Sequence, residues 1–145
     1  MNEEEYRNQL KDFNQQIDDL QLDYKKERID LENQYNQASG EIKRLISINS
    51  SNHSNFQIMS KNVLNEHESL QVKISNVEPI NLDKINDLRQ EKINEFRKTE
   101  DELKQNAAYI EKQYQERDEE LQLEYSIKMK ELEEKIDDLT NRFYN

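Results

Sequence analysis

Residues 81–145 contain no Gly, no Pro and no Cys, and their apolar residues recur at spacings of three and four. The run is Phe96, Leu103, Ala107, Ile110, Tyr114, Leu121, Tyr125, Met129, Leu132, Ile136, Leu139 and Phe143. That spacing predicts one amphipathic helix with a narrow apolar seam. At about 1.5 Å per residue it would extend roughly 90 Å. Such a helix cannot enclose itself, so it needs a partner surface along its length.

Only 32% of the chain is hydrophobic and 37% is charged. Apolar residues are too few to surround a three-dimensional core, yet enough to line a seam. That composition belongs to coiled coils or to disordered chains, and the sustained periodicity decides for the coiled coil.

The N-terminal half has a seam of its own. Asn2 with Glu5 forms a variant capping box, and Glu3 and Glu4 suit the positive end of a helix dipole. Tyr6, Leu10, Phe13, Ile17, Leu20 and Tyr24 then alternate steps of four and three. The seam resumes at Leu31, Tyr35, Ala38, Ile42 and Leu45, joined through Arg28. The eleven residues from Leu20 to Leu31 make a stutter, which locally unwinds a supercoil. A second break falls at Arg117, Leu121, Tyr125 and Met129, where each step is four.

Between these seams lie two interruptions. Ser50-Ser51-Asn52-His53-Ser54-Asn55 is a run of small polar residues that favours a turn, and Ser54 with Gln57 could open the next helix. Phe56, Met59, Val63, Leu70, Ile74 and Val77 then give a poorer seam, broken by Ser60 and His67. Leu70 to Ile74 also alternates with period two, as a short strand would. Pro79 biases Glu78 away from helix.

The expected fold is therefore all-α. It is an elongated coiled coil with a helix over 1–49, a turn at 50–55, a shorter helix over 56–76, a break at 77–80 and a long helix over 81–145. An antiparallel hairpin turning at 50–55 places Leu45 against Ile58, Leu10 against Ile93 and Tyr6 against Phe96. It leaves residues 100–145 as a C-terminal overhang with no intrachain partner. Reversal at Pro79 instead would lay the long C-terminal helix beside the first, which it would still outrun, so either way the C-terminal end needs another chain.

The overhang names the expected partner contacts: Leu121, Leu123, Tyr125, Ile127, Met129, Leu132, Ile136, Leu139 and Phe143. Leu121 to Met129 alternates, and alternate residues of a helix lie about 200° apart. Leu121 and Tyr125 serve the seam while Leu123 and Ile127 face away from it, so the segment is apolar on two sides. It also belongs to an internal echo. Asp18-Asp19-Leu20-Gln21-Leu22-Asp23-Tyr24 matches Glu119-Glu120-Leu121-Gln122-Leu123-Glu124-Tyr125, with Asp in place of Glu. The echo reads either as two related docking patches or as coincidence in an acidic helix.

Little in the chain points to chemistry. The net charge of -11 opposes binding to nucleic acid or anionic lipid. Along the chain the acidity is spread, with no detached acidic tail. There is no Cys and therefore no disulfide or thiolate site. Gly40 is the single Gly, so a glycine-rich phosphate loop is excluded; within a helix it marks either a close helix approach or nothing. His53 and His67 have no ligand set around them in sequence. No catalytic, cofactor or metal residue is expected, and no small-molecule substrate. No apolar run approaches a membrane span, and the start Met1-Asn2-Glu3-Glu4-Glu5 is unlike a basic signal segment. The expected setting is cytoplasmic, with a cytoskeletal location as one form of it.

These readings converge on a non-enzymatic structural or adaptor subunit. It would join other coiled-coil chains in a hetero-oligomer, because register breaks suit a non-identical neighbour. The alternative is a chaperone subunit that resembles the prefoldin type, with two long helices around a central insertion that pairs strands with other subunits. Leu70 to Ile74 would supply that strand, although a second strand and hairpin glycines are missing.

Overall fold

The computed structural model describes residues 1–73 and 81–145. Among them there are two long helices packed together and no strand: α1, Glu3–Lys73, and α2, Leu82–Tyr144.

Both helices begin on an asparagine cap. The Asn2 Oδ1 accepts from the Glu5 backbone N–H at 2.8 Å, and its amide donates back to the Glu5 carboxylate at 3.4 Å. The N-cap half of the capping box read from the sequence is formed, while the Glu5 carboxylate is met by the Asn2 side-chain amide. Asn81 does the same for α2, its Oδ1 accepting from the Lys84 N–H at 3.1 Å. The acids Glu3, Glu4 and Glu5 occupy the first turn of α1, where the dipole favours them.

The turn expected at 50–55 is absent, because α1 runs through it. Ser, Asn and His cost about 0.5 kcal/mol each relative to Ala in a helix, roughly 3 kcal/mol for the six. Tertiary contacts offset that cost. The His53 ring stacks on Phe96 at 5.2 Å, Phe56 meets the same ring at 5.8 Å, and the Asn49 amide donates to the Phe96 carbonyl at 3.0 Å. With no Gly or Pro in the run, no backbone constraint opposes the helix. The separate helix over 56–76 is part of α1 as far as Lys73, and Leu70–Lys73 are helical. The strand required by the prefoldin-type reading is thus missing from the described residues. Ile74 and the break at 77–80 lie outside them.

The chain divides into two compact units. Unit 1 holds Met1–Gln37 and Ile110–Asn145, and unit 2 holds Ala38–Tyr109.

In unit 1 the two helical segments run antiparallel, tied by three stacked ring pairs. Tyr6 lies on Phe143 with centroids 4.2 Å apart, Tyr24 on Tyr125 at 4.2 Å, and Tyr35 on Tyr114 at 4.5 Å. The residue numbers of each pair add to 149. Leu121, Leu132 and Leu139 are buried in this unit, Leu139 completely. Residues 110–145 are therefore not an overhang: their seam is covered by the chain's own N-terminal segment.

In unit 2 the segments are again antiparallel. Arg89 donates to the Ser60 hydroxyl at 2.6 Å and to the Gln57 carbonyl at 3.3 Å. Ile42 and Ile93 are buried. The pairing of Tyr6 with Phe96 expected from a turn at 50–55 is replaced by Tyr6 with Phe143 and Phe96 with His53. The reason is periodicity: a seam repeating every three to four residues sets apolar against apolar in several registers.

Candidate partner-binding surfaces

Unit 1 is built from its two register breaks. The stutter carrying Arg28 faces the segment where α2 slips. The Arg28 guanidinium forks onto the Asp118 carboxylate, Nε to Oδ1 at 3.0 Å and Nη2 to Oδ2 at 3.4 Å, and lies 5.5 Å from the Tyr24 ring centre. The hydrogen bond that Asp118 accepts, then its charge, holds the Arg28 pKa above its ordinary value. An arginine at a seam position is thus satisfied within the chain.

The echo is part of the same packing. Tyr24 and Tyr125 close the two copies and stack on each other. A small cleft beside them, about 90 Å³, is lined by Leu20 and Leu121, Asp23 and Glu124, Tyr24 and Tyr125, and Glu27 and Lys128. Each pair differs by 101 in number, the offset of the echo itself. The repeated motif is a local pseudo-two-fold packing element. Its polar positions face outward, and Leu22 and Leu123, equivalent in the echo, are both exposed.

This arrangement redistributes the expected partner contacts. Leu121, Leu132 and Leu139 are buried and Tyr125 and Phe143 are stacked on α1 rings. Met129 and Ile136 are half-buried. Only Leu123, 63% exposed, and Ile127, 50% exposed, remain available on that stretch. They are the two residues that alternation sets opposite the seam. Leu22 and Ile29 add exposed apolar side chains on α1.

Unit 2 carries a surface that periodicity along 56–76 did not isolate. The α1 residues shielded by α2 include the polar Ser60 and His67, while Met59 and Val63 are left 66% and 64% exposed. They open into an apolar groove of about 650 Å³ with Phe56, Leu64, Ile85 and Leu88, bordered by Arg89 and Lys92. His67 lines it as well, with Nε2 covered and without a hydrogen-bond partner among the described residues. The sequence signal was there: beside the polar Ser60, apolar side chains stand at Met59, Val63 and Leu70, each one residue before a shielded position.

Charge separates the units. Unit 1 holds 21 of the 32 acids and 11 of the 21 bases, a net of -10, and unit 2 holds the other 11 and 10, a net of -1. The acidity is spread along the sequence but gathered in the fold. Local pairs act within it: the Lys104 ammonium, 2.9 Å away, lowers the Glu100 carboxyl by hydrogen bond and charge, and Arg44 does the same to Glu41. Ser50, Ser51 and Ser54 sit on α1 rather than on a loop.

Among the described residues no helix is long and apolar enough to cross a membrane, and no group of three or more His, Cys, Asp or Glu is placed to hold a metal ion. No family model, curated protein or solved structure matches the chain.

Proposed function

We propose that the chain is a non-enzymatic structural or adaptor subunit of a larger cytoskeletal or cytoplasmic assembly, built as an antiparallel coiled-coil hairpin. The observation that carries this reading is the imbalance of its apolar surface. Five hydrophobic side chains are buried among the described residues, whereas Leu22, Ile29, Leu123 and Ile127 of unit 1 and a longer set in unit 2 stay exposed. Covering a Leu or Ile side chain contributes about 1.5–3 kcal/mol, so these positions are worth covering by a further helix.

Unit 1 takes a partner different from itself. At a net charge of -10 it repels a second copy and favours a basic, amphipathic helix. Leu123 and Ile127 are the anchors, because they project away from Tyr125 and its stacked partner. The hetero-oligomer follows from charge here, since the register breaks are matched to each other within the chain.

The experiment replaces Leu123 and Ile127 together by Glu and recovers the tagged chain from its native cells. Partner chains seen by mass spectrometry with the wild type should be lost, while helicity and melting temperature stay the same. Unchanged recovery of those partners would exclude this face.

A further inference from the structure

The exposed side of α1 in unit 2 has an order that the charge count alone does not show. Ile48, Asn52, Asn55, Met59, Val63, Glu66 and Leu70 are all exposed. Each precedes by one residue a position shielded in the hairpin, from Asn49 to Gln71. One residue is about 100° of helix turn, so these seven form a second stripe at roughly a right angle to the seam. From Ile48 to Leu70 the steps are 4, 3, 4, 4, 3 and 4, a palindrome centred on Met59, and Leu45, 37% exposed, continues the stripe by one position that the same register sets opposite Lys73.

We infer that this stripe docks on its own copy in a second molecule, antiparallel, across a two-fold axis passing by Met59. Residue i of one chain then faces residue 118 minus i of the other. Met59 meets the second Met59, and Ile48 meets Leu70 twice. Asn52 meets Glu66 twice, an amide donor against a carboxylate acceptor. Between Ile48 and Leu70, Asn55 against Val63 is the one mixed position. An isologous interface requires a self-complementary patch, and a palindromic stripe is one. The apolar groove beside Met59 and Val63 gives the incoming methionine side chain room to enter. With a net charge of -1, unit 2 approaches its copy without the repulsion that unit 1 would meet. The dimer goes beyond the partner proposed for unit 1 and uses a different face, so either can fail alone.

The test needs only the purified full chain, which has no Cys of its own. Light scattering at high micromolar concentration should give twice the 17.6 kDa chain mass. Met59→Cys should form an interchain disulfide on mild oxidation, because the two-fold axis brings the residue to itself. Ile58→Cys, 60% exposed but outside the stripe, should not. Met59→Glu should give a monomer of undiminished helicity. Glu66→Lys should weaken the dimer, and adding Asn52→Glu in the same chain should restore it. A monomeric wild type at that concentration, or equal disulfide formation at positions 58 and 59, would overturn the inference.

Discussion

The ring of Tyr24 stacks on the ring of Tyr125, 4.2 Å between centres and 14° from parallel. These two residues end the two copies of the repeated motif, so the motif packs against itself. Mutating each to Ala alone and then both should reveal a coupling of about 1 kcal/mol in a double-mutant cycle of urea unfolding. Additive losses would mean that the rings touch without stabilising each other.

Leu139 is wholly buried, whereas Leu123 is 63% exposed. Leu139→Ala should therefore lower unfolding stability by about 2–5 kcal/mol. Leu123→Ala should change it by no more than about 0.5 kcal/mol. A reversed order would return Leu139 to the role of partner contact that its sequence position first suggested.

Gly40 lies within α1, and a Cβ built on it meets nothing within 4 Å. It does not mark a close approach of another helix in this chain. Gly40→Ala should stabilise the protein by about 1 kcal/mol through helix propensity alone. Destabilisation, read by thermal melting, would point to a neighbour from another molecule at this position.

Unit 1 concentrates a net charge of -10. Raising the ionic strength from low to physiological should therefore raise the melting temperature, because screening relieves like-charge repulsion more than it weakens the few exposed ion pairs. A fall in melting temperature with added salt would show that the ion pairs outweigh the repulsion.

Acid gives a signed effect at Glu100, whose carboxyl is held low first by the hydrogen bond from Lys104 and then by its charge. A carboxylate with a lowered folded-state pKa stabilises the fold above its unfolded pKa. That contribution disappears as pH falls through the lowered value. The melting deficit of Glu100→Gln should thus be present at neutral pH and close in acid. A deficit that persists in acid would remove the ion pair as its cause.

Helical class, the Asn2 cap and the seam itself were all legible in the residues, because each depends on spacings of a few positions. The register was not. Tyr6 opposite Phe96 and Tyr6 opposite Phe143 both satisfy an apolar seam, so hydrophobicity alone leaves them equal. A finer signal distinguishes them: Tyr6, Tyr24 and Tyr35 stand at intervals of 18 and 11, and Phe143, Tyr125 and Tyr114 repeat those intervals in reverse. The polar run at 50–55 misled for a related reason, since its helical state rests on Phe96, more than forty residues away. Of the expected contact set, Leu123 and Ile127 kept their exposure because alternation sets them opposite the seam whichever segment fills it.

The intervals of the aromatic ladder also limit how this protein can change in length. Eighteen residues are five whole helical turns and eleven are close to three, so all three rings of one helix share a face. Inserting or deleting one residue between Tyr24 and Tyr35 would swing a ring about 100° off its mate. An intact ladder can therefore lengthen only by whole-turn additions made to both helices together, so unit 1 acts as a ruler whose divisions are fixed by its tyrosines.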